Sequence, residues 1–91
     1  MAERYAVSWQ PKALKALRRI DNSDGVRLIL ASQALGNNPF PANSRPVVGP
    51  DDVFRIQVGP YRLLYTVEKA KLLILVLTVG HRRDVYRLNL H

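Results

Sequence analysis

Val53-Phe54-Arg55-Ile56-Gln57-Val58-Gly59-Pro60-Tyr61-Arg62-Leu63-Leu64-Tyr65-Thr66-Val67 is the stretch on which the fold turns. Phe54, Ile56 and Val58 alternate with Arg55 and Gln57. Tyr61, Leu63, Tyr65 and Val67 alternate with Arg62, Leu64 and Thr66. A period of two marks a strand with one face on a core. Gly59-Pro60 separates the runs. Pro60 holds φ negative and forbids a type I′ turn, whereas Gly59 at positive φ allows type II′. A two-residue turn pairs Val58 with Tyr61, Ile56 with Leu63 and Phe54 with Tyr65. That register puts an apolar ladder on one face. It puts Gln57 opposite Arg62 on the other, with Arg55 two residues away.

Downstream, Lys69 to Lys71 is a turn. Leu72 to Val79 is apolar on both faces, the pattern of a central strand. Gly80-His81-Arg82-Arg83-Asp84 ends it, and Val85 to His91 is a short tail, strand-like or helical. Upstream, Arg4 to Trp9 alternates as a strand, with Tyr5, Val7 and Trp9 on one side. A helix follows with Pro11 in its first turn, where a missing N–H does no harm. Ala13, Leu14, Leu17 and Ile20 recur at helical spacing, with Lys12, Lys15, Arg18 and Arg19 largely on the other side. Asp21 to Asp24 is a break with capping residues. In a second helix Val26, Ile29, Leu30, Ala34 and Leu35 are expected to face inward, with a stop at Gly36-Asn37. Asn38 to Asp52 reads as a loop carrying Pro39, Pro41, Pro46 and Pro50. It is long for a plain connector. The expectation is one α+β domain over residues 1–91. Two N-terminal helices pack on a small, mostly antiparallel four-stranded sheet in the order β-α-α-β-β-β.

Ninety-one residues, 47% of them hydrophobic, suffice for one core and leave no room for a second. There is no cysteine, which excludes disulfides and thiolate metal sites and fits a reducing cytoplasm. Met1-Ala2-Glu3-Arg4 shows no signal peptide, and the longest apolar run, Leu72 to Leu77, is too short to span a bilayer, so no membrane partner is expected. The net charge is +7. From Arg55 onward seven basic residues face only two acidic ones, Glu68 and Asp84. A charge of this size on a small domain favours a polyanionic partner.

Several chemistries are missing from the sequence. There is no Gly-rich phosphate loop, no HExxH and no pair of histidines at ligand spacing. Carboxylates are few and lie mostly in turns, against a two-metal nuclease. No metal or other cofactor is expected. What remains is a basic constellation of Arg55 and Arg62 on one sheet face, Arg82 and Arg83 leaving the central strand, and Tyr86 close behind. RNA can be cut without metal, by attack of a ribose 2′-OH on the adjacent phosphate. The transition state gathers negative charge, which planar guanidinium forks stabilise well. His81, with a free pKa of about 6.5, is a candidate for proton transfer. Tyr86 can stack on a base or orient the phosphate. Lys12, Lys15, Arg19 and Arg83 are candidates for further RNA contacts. The plainer reading makes these residues a solvated helix face, and His81 a turn residue.

Tyr61-Arg62-Leu63-Leu64-Tyr65-Thr66-Val67, followed by a strand ending Val79-Gly80-His81-Arg82-Arg83-Asp84-Val85-Tyr86-Arg87, resembles the RelE/ParE toxin superfamily. The resemblance implies a compact toxin silenced by a cognate antitoxin protein that wraps it. RelE-like members cleave mRNA in the ribosomal A site, and ParE-like members poison DNA gyrase. The ending Arg-Arg-Asp-Val-Tyr-Arg resembles the RelE branch. On that likeness Arg55 matches a basic residue of the second strand, and Arg62 the arginine after the strand-three tyrosine. Arg82 matches the arginine assigned to leaving-group protonation, and Tyr86 the C-terminal tyrosine. Two positions depart from the pattern. Gln57 stands where some relatives carry a proposed base, and the turn before Tyr61 is shortened to Gly59-Pro60. The expected function is a ribosome-dependent endoribonuclease toxin with the ribosome and mRNA as partners. A ParE-like gyrase inhibitor and a non-catalytic RNA-binding translation blocker are the alternatives.

Overall fold

The computed structural model describes residues 4–49, 51–81 and 83. In chain order these form β1 (Ala6–Trp9), α1 (Pro11–Leu17), α2 (Asn22–Leu35), β2 (Arg45–Pro46), β3 (Val53–Val58), β4 (Tyr61–Glu68), a 3₁₀ turn (Lys69–Lys71) and β5 (Leu73–His81). The strands make one sheet in the order β1-β5-β4-β3-β2. β1 lies parallel to β5, and the other neighbours are antiparallel. The α+β class is as expected, but the sheet has five strands rather than four. The extra strand, β2, is two residues inside the proline-rich loop, where Arg45 and Pro46 oppose Arg55 and Phe54. So short an edge strand carries no alternation to read.

The β3–β4 hairpin has the expected register. Val58 faces Tyr61, Gln57 faces Arg62, Ile56 faces Leu63 and Phe54 faces Tyr65. Gly59 adopts φ +59°, the conformation the turn needs and an L side chain resists. The apolar ladder joins Ile74, Val76 and Val79 of β5 with Ala13, Leu28 and Leu35 of the helices in one core. A second, smaller cluster of Val53 and Leu64, flanked by Val47 and Leu77, lies apart from it.

β5 carries an irregularity. Leu64 pairs with Thr78 but Tyr65 pairs with Val76, so Leu77 is an extra residue. Such a bulge shifts the inward–outward alternation of everything beyond it.

The inward face of α2 differs from the sequence expectation. Gly25, Leu28, Ser32 and Leu35 are buried, while Val26 (48% exposed), Ile29 (37%) and Leu30 (58%) face outward. Leu14 of α1 is also exposed. The buried face includes a polar residue, Ser32. Ser32 Oγ accepts the indole N–H of Trp9 at 3.3 Å and donates to the carbonyl of Ile29 at 2.7 Å. With its hydroxyl satisfied, Ser32 can be buried on the same side as Leu28 and Leu35. Gly25 permits close packing against Leu17, and Gly36 sits so near the carbonyl of Tyr5 that an added Cβ would lie 2.8 Å from it.

Tyr65 ties the proline-rich loop to the core. Its ring is fully buried and its hydroxyl donates to the carbonyl of Pro39 at 2.7 Å. Burial holds the Tyr65 hydroxyl above its ordinary pKa of 10.0, with a Ser44 side-chain hydrogen bond pulling the other way. Above about pH 10 the unfolded chain loses this proton while the folded chain keeps it. The unfolded state then binds fewer protons, so stability falls as pH rises through that alkaline window. Tyr65→Phe is expected to lower stability by about 1 kcal/mol at pH 7. It should also remove that part of the alkaline loss, as read by denaturant melts at pH 7 and above pH 10. An alkaline profile identical to the parent's would show that Tyr65 does not hold its proton.

Candidate nucleic-acid interface

The register of the hairpin builds the site. Arg55 and Gln57 on β3 and Arg62 on β4 share the face opposite the Ile56–Leu63 ladder. Arg62 is the inner member, flanked by Gln57 on one side and Gly80 of β5 on the other. It is half-buried with its Nε shielded from solvent, so the guanidinium is less free to swing than on an open surface. Gly80 brings no side chain against it.

Arg45 was not singled out from the sequence. It stands directly across from Arg55 on β2. Its Nη1 donates to the carbonyls of Ala42 at 3.0 Å and Ser44 at 2.8 Å, which fixes the side chain without neutralising it. Directly opposed like charges repel, so the pair favours an anion between or above them. The pairing of β2 with β3 brings Arg45 to this face. Neither Arg45 nor Arg55 enters an ion pair among the described residues, where the pairs are Arg27–Asp24 at 3.7 Å and Lys71–Glu68 at 3.5 Å.

Gln57 is a turn clamp. Its Nε2 donates to the carbonyl of Gly59 at 3.1 Å, and its own carbonyl accepts from Asn43 Nδ2 at 3.4 Å. An amide takes no proton at neutral pH, so the position supplies structure and not a base.

His81 is not brought together with Arg62. It pairs with Tyr61, and the two rings meet edge to face with centroids 6.0 Å apart. Tyr61 packs on the main core, so His81 lies toward that face while Arg62 and Gly80 occupy the other. The backbone N–H of Arg83 donates to His81 Nδ1 at 3.3 Å, which places the proton of the neutral ring on Nε2. Arg83 itself is exposed. Arg82 and Tyr86, the other two residues singled out for chemistry, lie outside the described residues.

The helix-one residues form a separate basic feature. Lys12, Lys15 and Arg19 are exposed around a hollow of about 250 Å³ that Ala16 and Thr78 also line. A larger groove of about 500 Å³ runs between α2 and β3, with Ala31, Leu35, Ile56 and Val58 along it and Arg27 and Asn43 at its margins. Among the described residues no group of three or more His, Asp or Glu side chains gathers as a metal site, and no helix is long and apolar enough to cross a membrane.

No curated protein matches the chain in sequence. Solved structures do. The RelBE2 toxin–antitoxin complex of Mycobacterium tuberculosis matches with a TM-score of 0.77 at 23% identity, over 92% of this chain and 98% of that one. The isolated E. coli RelE toxin matches with a TM-score of 0.72 at 27% identity, over 91% and 92%. A chain of the intact E. coli RelBE toxin–antitoxin complex matches with a TM-score of 0.73 at 26% identity, over 85% and 95%. The family described as ParE toxin of type II toxin-antitoxin system, parDE, matches residues 7–86. The chain therefore belongs to the ParE toxin family, within the RelE/ParE superfamily, and is a toxin of a type II toxin–antitoxin system built on a RelE-like fold.

Proposed function

We propose that this toxin is a ribosome-dependent endoribonuclease that cuts mRNA in the A site. The observation that carries the reading is the convergence of Arg45, Arg55 and Arg62 on one sheet face, beside the strand that leads into Arg82. In the reaction a ribose 2′-oxygen attacks the adjacent phosphorus. The bond to the 5′-oxygen breaks, leaving a cyclic phosphate and a 5′-hydroxyl; the 2′-OH proton passes to water and the leaving oxygen takes a proton from water. Negative charge grows on the non-bridging oxygens, where Arg62 and Arg55 supply charge-assisted hydrogen bonds. Arg82 stabilises the leaving oxygen and Tyr86 orients the substrate. Lys12, Lys15, Arg19 and Arg83 hold ribosomal or messenger phosphates around the cut. The protein works in the cytoplasm, where its partners are the ribosome, mRNA and a cognate antitoxin.

The position of His81 changes the expected proton traffic. Its ring lies on the Tyr61 side, and its neutral tautomer presents an N–H at Nε2 instead of a free lone pair. With Gln57 clamped to the turn, the arrangement works by positioning and arginine electrostatics and uses no strong protein base. The match to the ParE family supports a second reading, a gyrase inhibitor on the same scaffold. Primer extension on mRNA from expressing cells separates the two. Cuts at codon positions support the nuclease. Altered supercoiling with intact mRNA supports the gyrase inhibitor.

Arg62→Ala and Arg82→Ala are each expected to cut the cleavage rate on ribosome-bound mRNA roughly 10²-fold. Circular dichroism and thermal melts check that the variants fold. Parental rates in both folded variants would remove these residues from the site. His81→Gln is expected to change the single-turnover rate only a few-fold and to leave the pH–rate profile intact. Disappearance of a limb near neutrality, with a loss of ~10²–10⁴-fold, would instead establish His81 as the proton carrier. The antitoxin is expected to be acidic where it meets this face and to shield Arg55 or Arg62, as read by hydrogen exchange or a structure of the complex. An inhibited complex that leaves the arginine face open would exclude direct occlusion.

A further inference from the structure

Arg62 has two neighbours in direct register, Gln57 of β3 and Gly80 of β5, and only Gln57 brings a side chain. The two-residue turn makes Val58–Tyr61 the hydrogen-bonded pair that closes the hairpin. Gln57 and Arg62 are then the non-hydrogen-bonded pair beside it. In such a pair the Cα atoms lie about 4.5 Å apart, and the side chains stand closer than in the hydrogen-bonded pairs. The backbone carbonyl of Gln57 points to the sheet edge, where Asn43 Nδ2 donates to it at 3.4 Å.

The carboxamide is oriented by its own hydrogen bond. The Gly59 carbonyl can only accept, so the atom 3.1 Å from it is Nε2 and not the oxygen. Oε1 is on the other arm, turned away from that carbonyl. Gln57 is exposed, and among the described residues nothing donates to Oε1.

The arginines of this face offer donors alone. Arg45, Arg55 and Arg62 carry N–H groups and no acceptor. Such a set grips phosphate oxygens, but it does nothing for the hydroxyl that attacks. Attack by a 2′-oxygen needs a lone pair aimed at phosphorus and the hydrogen aimed elsewhere. A donor side chain would occupy the lone pair that the reaction uses. A carboxylate would take the hydrogen bond but repel the phosphate beside it. A neutral carbonyl oxygen meets both demands.

We infer that Gln57 Oε1 accepts a hydrogen bond from the attacking ribose 2′-OH and so holds its lone pair in line with phosphorus. This role rests on the nuclease reading above and gives the nucleophile a partner within it. Gln57 carries no proton at any stage. As the bond from the 2′-oxygen to phosphorus forms, the bond from phosphorus to the 5′-oxygen breaks. The 2′-OH proton passes to water, and the leaving 5′-oxygen takes a proton from water. What Gln57 contributes is orientation. Its carboxamide is tied to Gly59 and its backbone to Asn43 before substrate arrives, so little freedom is lost on binding.

The test uses two mRNAs on programmed ribosomes. In each, the bridging 5′-oxygen at the cut position, located by primer extension, is replaced by a methylene group. A carbon leaving group is not expelled, so neither mRNA is cut. One keeps the 2′-OH at that nucleotide and the other is 2′-deoxy there. The parent chain should bind the 2′-OH form about fivefold more tightly, the effect of one neutral hydrogen bond. Gln57→Met, of nearly the same shape, should bind the two forms alike. The ratio is taken within each chain, so a loss of stability in the variant cancels. Gln57→Arg separates the acceptor from the brace, because it can still donate to the Gly59 carbonyl but accepts nothing. On ordinary ribosome-bound mRNA both variants should cleave roughly tenfold more slowly in single turnover, Gln57→Arg in spite of its added charge.

Equal binding of the two forms by the parent would falsify the role of Gln57. So would a Gln57→Met chain that keeps the parental ratio. A Gln57→Arg chain that cleaves at the parental rate would overturn it too and leave Gln57 a brace alone. In each of these cases the nuclease reading stands as long as the parent cuts mRNA. A parent that leaves ribosome-bound mRNA intact would overturn the nuclease reading, and the role of Gln57 with it.

Discussion

The two-residue turn at Gly59-Pro60 is the constraint on which the rest depends. It sets Val58 against Tyr61, and that pairing sets every later one along β3 and β4. A slip of one residue would turn Leu63 and Tyr65 to the wrong face and drive Arg62 into the core. Burying an unpaired guanidinium there is far more costly than any turn strain, so core and site enforce the same register. The turn is held from two further directions. Gln57 donates to the carbonyl of Gly59, and the Arg27 guanidinium lies 3.4 Å from where a Gly59 Cβ would be. Gly59 is therefore needed for its positive φ. Gln57 serves here as a brace for the turn.

The hairpin could be read from the sequence because alternation, turn chemistry and charge all gave the same answer. α2 could not be read in the same way. Its window from Val26 to Leu35 is apolar nearly all round, so hydrophobic spacing alone admits more than one inward face. The buried face is the one on which Ser32 finds a partner in Trp9, a contact between residues 23 positions apart. A serine in a helix interior looks like a solvent position until its partner is known. β2 was hidden for another reason. Two residues, the second of them a proline, carry no period, and pairing there comes from the approach of the loop, secured by Tyr65 on Pro39.

The arginine face carries no carboxylate to balance Arg45 and Arg55 among the described residues. A fold selected for stability alone gains little from opposing two cations across an edge pair. The carbonyls of Ala42 and Ser44 hold Arg45 in place and leave its charge available. This is the arrangement expected of a preorganised anion site. The donors are fixed before the ligand arrives, so little ordering remains to be done on binding. An acidic ligand on this surface would neutralise the arginines and cover them at once.

The separation of His81 from Arg62 comes from a single extra residue. Ile74 and Val76 face the main core. Strict alternation from them would send Val79 and His81 to the opposite face, beside Arg62, where a titrating group would be well placed. The bulge at Leu77 inverts that parity. Val79 turns to the core instead, Gly80 lies across from Arg62, and His81 lies across from Tyr61. Bulges leave no dependable mark in an apolar strand, since every residue from Leu72 to Leu77 suits either face. The proximity of His81 to Arg82 in sequence was therefore legible, but its side of the sheet was not. The same inversion has a second effect. It gives the arginine face a glycine where a side chain would crowd Arg62. One inserted residue thus decides which groups share the face of Arg62.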